Sequence, residues 1–255
     1  MIDWFNSNRL LLNTEKTEFL WCHSKKRRQS VPSTSLRIGS SWISPSSSVR
    51  CLGVILDSEL SFERHITKCV STCFGILRQI RSISSSIPRV LRKTLISALV
   101  ISRLDYSLSV LYGVPAYHLK RLQSVLNAAD RLIYDSKRSS AITPLLRDLH
   151  WLPIKQRIDY RLCILSFCCR HHSASEYLTS CLIDVNSEPG RSRLRSADSK
   201  TLVVPLSRRP TLGGRAFPVA SARCWNSLPK ELRSANSLSS FNKKTKDHFI
   251  KLSFY

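Results

Sequence analysis

Acidic residues are few in this chain of 255 residues, and no two are adjacent: 17 Asp and Glu stand against 40 Lys and Arg. Two-metal phosphoryl chemistry needs clustered carboxylates to hold divalent ions at the attacking and leaving oxygens. The tightest spacings here are Asp57-Ser58-Glu59, Glu15 with Glu18, and Glu59 with Glu63. None ends an apolar strand beside a second acid. The sequence therefore predicts no catalytic residue, no metal ligand and no cofactor. A Gly-rich cofactor loop and a His-x-Asp pair are also missing, and no nucleophile-elbow Ser or Cys lies near His150, which reads as a packing or capping residue. No apolar run approaches the ~20 residues of a membrane span. Leu10–Leu12 is too short, and too closely flanked by acids, for a secretory leader. The expectation is an intracellular protein, in nucleus or cytoplasm, that is not secreted and has no membrane partner.

Nine cysteines are present, an odd number: Cys22, Cys51, Cys69, Cys73, Cys163, Cys168, Cys169, Cys181 and Cys224. Free, mostly buried thiols fit a reducing compartment. Cys168-Cys169-Arg170-His171-His172 offers four ligand types, but neighbours on a helix point about 100° apart and cannot all reach one ion. Cys69 and Cys73 are one turn apart without a second pair at zinc-finger spacing, so buried thiols and an exposed His pair are expected instead.

Positive charge is abundant. The formal net charge is +23, and the excess grows along the chain: 8 basic against 5 acidic groups in residues 1–60, 14 against 5 in 61–150, and 18 against 7 in 151–255. Such an excess concentrates polyanions and favours phosphate backbones through counterion release. RNA or DNA, bound through phosphates, is the expected partner, while the sequence leaves protein partners open. Lys25-Lys26-Arg27-Arg28 reads as a solvated loop tip or a weak nuclear-import signal.

Patterning divides the chain near residue 60. Before it, Asp3–Leu12 is helix-compatible, Phe19–Cys22 reads as a short strand, Leu36–Ile38 and Trp42–Ile43 as a hairpin, and Val49–Leu56 as a buried strand. After it the period is 3.6 residues. Glu63–Ile83 places Ile66, Cys69, Val70, Cys73, Phe74, Leu77 and Ile80 on one arc, with Arg64, Lys68 and Arg78 opposite. Pro88–Tyr106 reads as a helix through Val90, Leu91, Leu95, Ala98 and Leu99, and Tyr117–Tyr134 as a third. The fold expected is α+β: a small sheet, a mainly helical bundle, then an irregular basic tail holding Arg191, Arg193 and Arg195.

Particular runs carry a family likeness. Trp4–Thr17 (WFNSNRLLLNTEKT) and Val49–Asp57 (VRCLGVILD) resemble the last two palm blocks of non-LTR (LINE-type, jockey-like) retrotransposon reverse transcriptases. Ser102–Tyr106, Leu122–Ile133, and Leu149–Ile154 with Arg157 resemble the thumb that follows. Arg215-Ala216-Phe217, Trp225–Pro229 and Phe241 resemble the C-terminal region. In that family an aromatic-x-Asp-Asp box precedes the Trp4 block, whereas this sequence begins at Met1. Asp130 stands where the family usually has a small residue. A short stretch, Val49–Arg81, also resembles the small N-terminal domain of a tRNA-modifying dioxygenase/methyltransferase family and implies no activity.

The resemblance implies a palm remnant over residues 1–60, a helical thumb-like domain over 61–182, a basic linker over 183–215 and a C-terminal segment, 216–255, packing back on the bundle. It implies a primer-grip-like role for Cys51, Leu52 and Gly53. Nucleic-acid contacts are expected from Arg64, Lys68, Arg78, Arg92, Lys93, Arg191, Arg193 and Arg195. Three functions follow: a catalytically incomplete nucleic-acid-binding fragment; part of an active RNA-directed DNA polymerase whose catalytic half lies elsewhere, which would bring Mg²⁺ with it; or a domesticated protein-interaction module.

Overall fold

The structure, a computed structural model, describes residues 2–39, 41–187, 200–207 and 212–255. It is mixed α and β, mainly helical, with two small antiparallel hairpins. Its contacts form two compact units, Met1–Cys69 and Val70–Tyr255. The division falls inside a helix rather than ahead of it at residue 60.

In the first unit α1 covers only Ile2–Ser7, shorter than the sequence suggests. The Ser7 hydroxyl and the Asn8 amide both donate to Trp4 O, at 2.9 and 2.8 Å, and such local bonds compete with the next helical turn. Leu11, at 93% exposure, has no apolar partner to extend the helix. β1 (Leu36–Ile38) pairs with β2 (Ser41–Ile43), and β3 (Ser48–Cys51) with β4 (Val54–Asp57). Val49–Leu56, one strand by its patterning and a hairpin by the resemblance, is a tight hairpin. Phe19–Cys22 contributes one bridge, Phe19 to Pro45, instead of a strand.

Asp57 closes this hairpin. Its carboxylate accepts from the backbone N–H groups of Glu59, Ser61 and Phe62 and from the Ser61 hydroxyl, at 2.7–3.2 Å. That network turns the chain into α2 (Glu63–Ser82), which runs from the first unit into the second. Ile66, Cys73, Leu77 and Ile80 form its buried stripe.

In the second unit α3 (Arg89–Ile96) passes through one π-helical turn, Ser97–Ile101, into α4 (Ser102–Asp105). Its buried positions are Arg92, Ile96, Val100, Ile101 and Leu104, while Val90, Leu91 and Leu99 are exposed. The inward face is therefore not the one the apolar residues suggest. α5 (Ala116–Tyr134) and α6 (Thr143–Asp148) lead to α7 (Ile154–Arg170), the centre of this unit. α7 packs against α5, the short α8 (Glu176–Thr179), α9 (Phe217–Asn226) and α11 (Leu238–Phe254), the last reached through α10 (Lys230–Arg233).

Several of the runs singled out after residue 100 are joints of this unit. Arg157 on α7 donates to Asp105 at 2.7 Å and to Leu152 O at 3.2 Å. Gln123 on α5 accepts from the first N–H of α7, Ile154 N, at 2.9 Å. Asn226 clamps Leu202 through both amide atoms, each at 2.8 Å, and Trp225 Nε1 donates to Lys200 O at 2.8 Å. Phe241 stacks on Phe167. Leu202 is consequently buried, and it bridges to Asp184. Residues 200–207 of the expected basic linker begin as docked chain.

Candidate nucleic-acid interface

Four groups of sequence-predicted contacts fare differently. On α2, a 100° advance per residue sets Arg64, Lys68 and Arg78 on one side of the helix, and all three are exposed. Arg64 is held to the hairpin, donating to Ser48 Oγ at 2.7 Å and Ser47 Oγ at 3.3 Å. Among the described residues, Lys68 and Arg78 have no carboxylate partner.

Lys93 on α3 is likewise exposed without an ion pair, but Arg92 must be removed from the surface list. It is 5% exposed and donates to Leu132 O at 3.1 Å and to the Asp135 carboxylate. These acceptors mark the C-terminal end of α5, where unpaired carbonyls and the helix dipole favour a cation. Arg92 is thus a strut between α3 and α5. Arg191, Arg193 and Arg195 lie outside the described residues.

Cys51, Leu52 and Gly53 occupy the tip of the β3–β4 hairpin. Leu52 and Gly53 form its two-residue turn with φ of 45° and 84°, the positive pair of a type I′ geometry. Gly53 accommodates this freely, whereas a leucine there is strained. Its side chain is 85% exposed.

The structure adds cations that sequence reading passed over. A groove of about 890 Å³ runs between the C-terminal half of α2 and α5. Arg78 and Arg81 from α2, with Arg131 and Arg138 from α5 and the loop after it, line it. Phe74, Leu77, Ala128 and Leu132 form an apolar floor. Asp135 is the one acid among the lining residues, and Arg92 already engages it. The signal in the sequence was a polar stripe, Ser124, Asn127 and Arg131, at helical spacing along α5.

Other titratable groups are shifted by burial. None of the nine cysteines forms a disulfide among the described residues. Burial pushes the Cys163, Cys169 and Cys224 thiols up, Cys224 further through Asp159, so these sulfurs stay protonated and poor nucleophiles. Burial also raises the Asp130 carboxyl, to about 7. Among the described residues no three His, Cys, Asp or Glu side chains gather to hold a metal, and the Asp57 carboxylate is committed to its turn. No helix among them is long and apolar enough to cross a membrane.

The first unit thus offers a strained hairpin tip and the cationic start of α2, and the second, taken by itself, an arginine-lined groove. Compared with protein-family models, with curated proteins and with solved structures, the chain matches none.

Proposed function

We propose that this chain is a nucleic-acid-binding segment of an RNA-directed DNA polymerase of the non-LTR type, which grips template and primer through phosphates and brings no catalytic carboxylates of its own. The observation that carries the reading is the set of exposed cations on α2, Lys68 and Arg78, which have no carboxylate partner among the described residues of a chain of charge +23. Cations held on a docked helix can meet successive phosphates without first giving up an internal ion pair, and the counterions they release drive binding. Phosphate contact carries little sequence preference.

The test is salt-dependent binding of a labelled template–primer. Replacing Arg64, Lys68 and Arg78 together with Ala is expected to flatten the log–log salt slope by about two to three units. Replacing Lys243, Lys244 and Lys246, exposed on α11, is the control. Equal losses from both triples would reduce the effect to net charge and remove the α2 face from the interface. A second reading, a protein-interaction module, is favoured by one observation: Val90 and Leu91 on α3, and Leu99 in the π turn after it, are exposed apolar side chains.

A further inference from the structure

We propose that the groove between α2 and α5 is a seat for single-stranded nucleic acid, in which a base rests on the Phe74 floor and the flanking phosphates are taken by Arg78, Arg81, Arg131 and Arg138. The inference rests on the nucleic-acid reading above and narrows it to a strand type and a place.

Three features select this occupant. The first is charge. Four guanidinium groups line the groove, and the only carboxylate among the lining residues is spent on Arg92. Arg131 is the most committed of the four: its Nε is buried without a hydrogen-bond partner, and Nη2 makes only a 3.5 Å contact with Ser140 O.

The second feature is the type of cation. All four are arginine, whose planar fork binds phosphate oxygens in pairs, where lysine offers a point charge. The third is the floor. A duplex presents only its phosphates to such a groove, because its bases are paired and stacked inside. A single strand can splay one base outward onto an aromatic ring while its backbone follows the arginines. The apolar floor therefore discriminates strand from duplex, which a simple basic surface does not.

The experiment measures fluorescence anisotropy of the full chain with a labelled oligothymidylate of about ten residues, an abasic strand of equal length, and a duplex of equal charge. The base-bearing strand is expected to bind about tenfold or more tightly than the abasic one, on the scale of a single stacked base. Phe74→Leu keeps the floor apolar and should erase that difference. Arg81→Gln with Arg138→Gln, both at exposed positions, should weaken the single strand more than Lys243→Gln with Lys246→Gln on α11. Thermal melts of each variant confirm folding.

Equal affinity for base-bearing and abasic strands, or equal losses from the groove and control pairs, would overturn the seat while leaving nucleic-acid binding intact. Polyglutamate of matched charge displacing the strand as well as unlabelled oligothymidylate would also overturn it, marking the groove as an acidic-peptide site. Failure of every nucleic acid to bind the full chain would instead remove the parent reading.

Discussion

Asp130 has no solvent exposure, and neither carboxylate oxygen has a hydrogen-bond partner. Burial, with Asp148 adding to it and Arg131 opposing, raises this acid to about 7. Folded, the group keeps its proton up to about neutrality; unfolded, it releases it near the ordinary value of about 4. Across that window the folded chain binds the extra proton, so this residue's contribution to stability falls as pH rises. The expected loss is on the order of 3 kcal/mol between pH 4 and 8. Asp130→Asn should therefore melt above the parent protein at pH 8, with the gap closing towards pH 4. A melting difference that stays constant over that range would sink the assignment. Arg92 solves the same problem of a buried charge by reaching the end of α5. Arg92→Met is expected to lower stability by about 1–3 kcal/mol, the cost of stranding the buried Leu132 carbonyl, and to leave the salt slope of binding unchanged. A flattened slope with unaltered denaturant midpoint would return Arg92 to the interface.

At the scale of elements, the β3–β4 hairpin joins strain to exposure. Leu52 sits at φ 45° where Asn is the preferred partner of a following glycine. Leu52→Asn should stabilise the first unit by about 1 kcal/mol and, if the tip grips a nucleic-acid end, weaken binding. A gain in denaturant stability with unaltered affinity would take the tip out of the interface. Elements with one apolar stripe are legible from sequence: α2 and α5 each bury one face, and their ends fall within a residue or two of the expectation. α3 is not legible. It carries apolar residues on both sides, its register shifts through the π turn, and the counter-charge that lets Arg92 point inward lies 43 residues away. The groove is half legible for a similar reason. The α2 arginines stand out against a clean stripe, while Arg131 joins them only because α5 lies across from α2. In the expected linker, Leu202 is held by Asn226, a pairing no local pattern announces.

For the whole molecule, several acids among the described residues are engaged locally: Asp57 in its turn, Asp105 with Arg157 and Arg161, Asp184 with Arg170. The purified chain is expected to incorporate no nucleotide on a primer–template with Mg²⁺ or Mn²⁺. Metal-dependent incorporation that disappears in Asp57→Asn would refute this. The partition of contacts has its own consequence. Loop-joined domains can melt one at a time, each with its own transition. Here the seam lies within α2, and a helix is cooperative along its length because each turn is templated by the last. Fraying that starts at Glu63 therefore meets, within the same helix, turns anchored by Cys73, Leu77 and Ile80. A chain opened between residues 69 and 70 would be cut through a helix and not through a loop.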